Sequence, residues 1–330
     1  MLKIVVLIIL VSCNLSKKLN KENNEPKNNE ILKKKVLKND FKEAYDLVVT
    51  NNINGLKKII DKNYNVLGMN YSHDNTEQSS LLMEALYFQE KTPSKNLNNV
   101  IEFLFESSDL NAIDSNGYSI LHYSVFNGEY VKKLLNNDKI DVNLPTKGGE
   151  KTPLMLALEK GYFKGAYSLL EVQNIKLGLI DRHNRNILHF LVTGIFKAPK
   201  ISHEDSENLG AEYLKMIVYY KNILKILIKG SYEFNFEKAL KEDRNIEKKT
   251  PLEVFNELMK PKIEESRKYA KIPPVDKVSY GRNTLRGMSE REYWEAVENL
   301  FKEESLKELK NDKLHNSKLS SKVKKILPKK

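Results

Sequence analysis

Asp109-Leu110-Asn111-Ala112-Ile113-Asp114-Ser115-Asn116-Gly117-Tyr118-Ser119-Ile120-Leu121-His122 decides how this chain folds. The first half is short and mostly polar, and Asn116-Gly117 suits a tight turn that needs φ > 0. Ser119 to His122 then opens a helix, which Asn127-Gly128 breaks. A second helix follows, with Val131, Leu134 and Leu135 on one face at the i, i+3, i+4 spacing. So small a unit has an apolar face but nothing of its own to bury it against.

The helix opening recurs along the chain. A small polar residue, one further residue, Leu, then His or Met stand at Ser80-Leu81-Leu82-Met83, Ser119-Ile120-Leu121-His122, Thr152-Pro153-Leu154-Met155 and Asn186-Ile187-Leu188-His189. A partial copy is Thr250-Pro251-Leu252-Glu253, and successive copies lie 39, 33, 34 and 64 residues apart. In the third copy Pro153 suits the first helical turn, where its missing N–H costs nothing. Gly161 then separates two helices, and Tyr167, Leu169 and Leu170 line the second.

This pattern, with its period of about 33 residues, resembles ankyrin repeats. The resemblance implies a mostly α fold, a solenoid of stacked helical hairpins over residues 40–260, each hairpin stabilised by its neighbours. It also implies a chain that binds another protein without catalysing a reaction. His122 and His189, at the fourth position of the motif, are then expected to hydrogen-bond neighbouring backbone. Phe41 to Asn70 lacks the opening motif but has a helix, an Asn54-Gly55 break, and Leu56, Ile59 and Ile60 on one face, as an N-terminal cap would. The long spacings read as loop insertions, Gln89 to Asn98 in one repeat and Lys197 to Asn208 in another. Ile223 to Gly230 then serves as the second helix of the repeat begun at Asn186; a separate degenerate repeat is the alternative.

Beyond Pro261 the pattern is expected to stop, leaving 261–312 as a helical cap. Ser289 and Glu292 make a capping box, and Tyr293, Trp294, Val297, Leu300 and Phe301 line one side of a helix running to about Lys310. The Lys- and Ser-rich residues 313–330 read as a basic disordered tail.

The N-terminus is of another kind. Lys3 precedes the apolar run Ile4 to Val11, shorter than the roughly 20 residues of a membrane-spanning helix and fitting a secretory signal over 1–12. Leu10-Val11-Ser12-Cys13 resembles the lipobox of bacterial lipoproteins, which implies acylation of Cys13 and attachment to a membrane of the cell envelope, facing the periplasm or the cell surface. Residues 13–39 are poor in apolar side chains and read as a flexible tether.

No catalytic motif, cofactor loop or metal set emerges. Cys13 is the single cysteine of 330 residues, which excludes an internal disulfide and a two-cysteine metal site. His73, His183, His203 and His315 lack the i, i+4 pairing of a helical zinc site, and Gly281 to Gly287 has too few glycines and no Lys-Ser/Thr for a phosphate loop. Glu264-Glu265 and Glu303-Glu304 are adjacent pairs that read as solvated faces. The net charge of +11 admits an alternative, electrostatic binding of nucleic acid or anionic lipid through basic turns and tail. Against nucleic acid, no aromatic platform is interleaved with the Lys and Arg residues. Lys147, Lys151, Arg182, Arg185, Lys248 and Lys249 lie in or beside the expected turns. With Asn116 and Tyr118, all of these but Lys249 are the candidate contacts to an acidic protein partner, Tyr118, Arg182 and Arg185 foremost because Tyr and Arg are enriched at hot spots.

Overall fold

Each helix-opening motif starts a helix in the computed structural model, which describes residues 39–68, 70–71, 78–197, 209–230, 234–269 and 290–311. Residues 1–12, Cys13, the tether before residue 39, residues 198–208, Gly281 to Gly287, Ser289 and the tail 313–330 lie outside the described residues. The chain is mostly helical and divides into two compact units, Met1–Ser115 and Asn116–Lys330.

The first unit has two helical hairpins. Helix α1 (39–49) and α2 (Ile53–Lys62) form one, followed by a 3-10 turn (Tyr64–Leu67) and the paired dipeptides β1 (Asn70–Tyr71) and β2 (Gln78–Ser79). The break between these helices is at residues 50–52, not at Asn54-Gly55: Asn52 caps α2 by accepting the Gly55 N–H at 2.9 Å. Gly55 therefore sits inside the helix, where a Cβ would come within 2.8 Å of Leu47 Cδ2. Its role is close helix approach rather than chain reversal. Helices α3 (Leu81–Lys91) and α4 (Leu97–Ser107) make the second hairpin. The extra residues expected at 89–98 lengthen α3 and form a loop pinned by Gln89, whose amide donates to Ser94 O (3.1 Å) and Asn98 Oδ1 (3.0 Å) and accepts from Ser94 N (3.1 Å).

The second unit has two rows of helices. One row is α5 (Ile120–Ser124), α7 (Pro153–Lys160), α9 (Ile187–Lys197) and α12 (Pro251–Tyr269). The other is α6 (Gly128–Leu135), α8 (Phe163–Leu170), α10 (Leu209–Lys229) and α13 (Glu290–Leu300), with α11 (Phe236–Lys241) between α10 and α12. Within each row every helix packs on the next. Helix α10 thus takes the second-helix position of the repeat opened at Asn186. The motif leucines Leu121, Leu154 and Leu188 are at most 1% exposed, as core positions must be. Two helical glycines set how closely neighbouring helices approach, Gly165 of α8 against the end of α5 across the rows and Gly194 of α9 against α7 within one row. A Cβ on Gly165 would lie 2.0 Å from the Val125 carbonyl oxygen, and one on Gly194 would lie 1.7 Å from that of Leu158.

The C-terminal end departs from expectation in two ways. Helix α12 runs through Pro261 to Tyr269, so one helix crosses the boundary drawn at residues 260–261. Proline removes one backbone hydrogen bond, and both Pro261 and Glu257, whose carbonyl loses that partner, are exposed, so water can take its place. The final helix is in fact two, α13 and α14 (Glu303–Asn311). The backbone tightens at Phe301 N to Glu298 O (3.2 Å) and Lys302 N to Asn299 O (3.3 Å), ending α13 and sending α14 back onto α10. All five apolar residues expected on the face of this helix are buried. Phe301 stacks on Phe255 (4.1 Å between ring centres), Trp294 on Phe196 (5.4 Å), and the Tyr293 and Tyr220 hydroxyls bond at 2.8 Å. Burial raises both phenol pKa values, that of Tyr293 to about 12, so the pair stays neutral.

Candidate functional site

Four turns of the second unit precede the row-one helices, and they share one backbone plan. Gly117, Glu150, Asn184 and Lys248 have φ of 85°, 55°, 56° and 62°, and each stands two residues before its helix-opening residue. The last three turns close by the same bond: Thr146 N to Lys151 O (3.0 Å), Asp181 N to Arg185 O (3.1 Å) and Asn245 N to Lys249 O (3.0 Å). In each, the first residue's side chain also accepts a backbone N–H from the far side of the turn: Thr146 from Lys151 (3.2 Å), Asp181 from Arg185 (2.9 Å) and Asn245 from Lys249 (3.0 Å).

Successive turns are also bonded to one another. Lys147 N donates to Asn116 O (2.9 Å), Arg182 N to Gly149 O (3.5 Å) and Ile246 N to His183 O (2.8 Å). The four turns therefore form one continuous edge, and their side chains have a fixed order along it.

The two motif histidines reinforce this stitching. His122 Nδ1 lies 3.1 Å from the Ser119 N–H, which can only donate, so the ring proton is on Nε2 and is given to Lys151 O at 3.1 Å. His189 repeats the contact two repeats further on, accepting from Asn186 N (3.3 Å) and reaching Lys249 O (3.0 Å). Burial lowers both pKa values, that of His122 to about 4. These rings bond backbone, as their place in the motif implies. Among the described residues no cluster of His, Cys, Asp or Glu is arranged to hold a metal ion.

The candidate contacts take two kinds of position. Asn116, Lys147, Arg182 and Lys248 are exposed on the edge, and Tyr118 is half-buried, edge-on to the His122 ring at 5.5 Å. Lys151 and Arg185 turn inward to Glu159 on α7. Lys151 Nζ is 2.6 Å from one carboxylate oxygen and Arg185 Nη1 3.3 Å from the other. Arg185 also grips Asp181 through Nη2 (2.7 Å) and Nε (3.0 Å), with its guanidinium 4.5 Å over the Phe190 ring. Burial would raise the Glu159 carboxyl, but the Lys151 hydrogen bond and the charges of Lys151, Arg185 and Lys197 hold it below its usual value. Asp181 is likewise held low by Arg185 against the effect of burial.

Glu159 and Asp181 were not among the residues singled out from sequence, although Glu159 and Glu257 share a position seven residues past the helix-opening threonines. Also missed were Ile180 and Ile246, which expose 52% and 66% of their surface in or beside these turns and add apolar contacts to a charged edge.

Residues 82–181 match the family described as ankyrin repeats, in three copies. Over 95 residues, 28% of the chain, the sequence is 30% identical to alpha-latrotoxin-Lh1a of Latrodectus hasselti and 34% identical to alpha-latrotoxin-Lhe1a of Latrodectus hesperus. The chain spans about 7% of the length of each of these relatives.

Proposed function

We propose, from the ankyrin repeats in residues 82–181, that this chain is a non-enzymatic protein-binding scaffold whose turn edge grips an acidic partner. Ankyrin repeats support protein binding in general; the observation behind this particular edge is the backbone stitching that gives its side chains a fixed order. A pre-ordered edge loses little conformational freedom on binding. Arg182 supplies the hot-spot side chain, Lys147 and Lys248 steer an acidic surface towards it, and Ile180 and Ile246 offer apolar anchors. Arg185 and Lys151 hold the edge in place through Glu159.

The test is the triple substitution Lys147→Ala, Arg182→Ala and Lys248→Ala, chosen because all three are exposed on the edge. The protein captured from envelope membranes by the wild type should bind the triple variant at least about tenfold more weakly, as loss of a hot-spot arginine with two steering charges implies. Equal affinity in a folded triple variant would place binding elsewhere.

The scaffold is further proposed to be held at a bacterial envelope membrane by acyl chains on Cys13. The apolar run, the lipobox-like residues and the polar stretch that follows support this reading. No helix among the described residues is long and apolar enough to cross a membrane, so a covalent lipid would supply attachment that those helices do not. Cys13→Ala should shift the protein from the membrane to the aqueous fraction and abolish fatty-acid labelling. Retention of the variant on membranes sinks the proposal.

A further inference from the structure

We infer that the turn at 181–185, which displays Arg182, is positioned by an ion clamp where its neighbours are positioned by a histidine, making Glu159, Asp181 and Arg185 positioning residues of the edge. The clamp belongs to the proposed binding edge, so its consequence for partner recognition rests on that reading. Its test needs no partner.

Three joints connect the four turns. At the first, His122 donates to Lys151 O, and at the third, His189 reaches Lys249 O. The repeat between them has Met155 at the corresponding position, and a thioether has no proton to give the next turn. The backbone bond across this middle joint is also the longest of the three, Arg182 N to Gly149 O at 3.5 Å against 2.9 and 2.8 Å. What crosses the joint instead is charge. Arg185 reaches back to Glu159 of the preceding repeat and binds Asp181 of its own turn through two guanidinium nitrogens. The carboxylate of Asp181 is wholly shielded from solvent, and the Glu159 and Arg185 side chains are 12% and 21% exposed.

Lys249 and Glu257 form the counterpart of the Lys151 and Glu159 pair, at 2.6 Å, but among the described residues no arginine from a following turn joins them, and His189 already holds turn 245–249. The two carboxylates therefore have unlike importance despite equivalent places in the repeat. Removing Glu159 leaves Arg185 half-buried with one partner fewer and the long Arg182 N to Gly149 O bond as the neutral reserve across the joint. Removing Glu257 leaves the histidine contact intact.

Hydrogen–deuterium exchange of the full chain reads this directly through the Asp181, His183 and Arg185 amides, each bonded within the turn. Glu159→Gln should speed their exchange at least about tenfold, as expected of local opening, with turn 146–151, still held by His122, opening less and turn 245–249 unchanged. Glu257→Gln should leave turn 245–249 as protected as in the wild type. If Glu159→Gln does not fold, Arg185→Lys keeps the charge but loses the fork, and must open the same turn. Unchanged protection at 181–185, or equal opening of both turns by their respective Gln substitutions, overturns the inference. Loss of the partner in the edge triple variant with no opening here would overturn the clamp and spare the edge; opening without any loss of partner would do the reverse.

Discussion

Gly194→Val is expected to cost at least about 3 kcal/mol, at or above the upper end of ordinary overpacking. A Cβ at this position would sit 1.7 Å from the Leu158 carbonyl oxygen, and its next neighbours there are also backbone atoms. A side chain in the way can rotate aside; a carbonyl bonded into a helix moves only if α7 and α9 separate. Those helices pack extensively on one another, and Leu188, Leu191 and Val192 of α9 are buried, so separation exposes the centre of that unit. Urea denaturation of the variant measures the loss. Gly148→Ala is the control, because nothing lies within 4 Å of the added atom, and it should stay within about 0.5 kcal/mol of the wild type. Equal midpoints for Gly194→Val and wild type would mean that α7 and α9 do not approach as described.

Acid should weaken the fold well above the pH at which carboxylates titrate. His122 is 2% exposed and its pKa falls from 6.5 in the unfolded chain to about 4 in the fold. A folded-state value below the unfolded one means that the unfolded chain takes up the proton first. The associated stability is complete above pH 6.5 and is lost as pH falls towards 4, about 3 kcal/mol in all. Protonating Nδ1 also sets a new N–H against that of Ser119 at 3.1 Å, which is why the ring resists it. His189 is lowered for the same primary reason, burial, and adds to the loss. Glu159 and Asp181 are held below their ordinary values, so their contribution disappears only at still lower pH. Denaturation midpoints at pH 7 and pH 4.5 separate the two: His122→Asn should flatten the upper part of the profile. An unchanged slope in that variant would assign the acid sensitivity to other groups.

Much of this architecture is legible in the chain because the helix-opening motif is local. Ser80, Ser119 and Thr152 cap helices by accepting or facing nearby N–H groups, and Gly117 and Gly161 take left-handed backbone as glycines in turns do. The features that escaped are those decided by a neighbouring repeat. Gly165 and Gly194 look like weak helical residues until the carbonyl opposite them is known. Asn54-Gly55 looks like a turn, yet Asn52 caps the helix and Gly55 makes room for Leu47. Pro261 marks where the repeat pattern stops, yet α12 continues through it. Along the edge, sequence placed Lys151 and Arg185 correctly beside the turns, but it could not tell that Glu159 turns both of them inward.

The last repeat carries a different lesson. Glu253 and Asn256 are exposed where earlier repeats place a bonding His or Met and a buried Val or Leu, and Glu253 turns back to the Thr250 N–H and Arg244 instead of reaching onward. Identical units joined head to tail without closing grow into filaments, and a repeat protein is made of such units. Two polar residues in the final repeat act as a terminator of growth. They put polar side chains where another molecule's first hairpin would need apolar ones, so end-to-end stacking on this helix is disfavoured at those two positions.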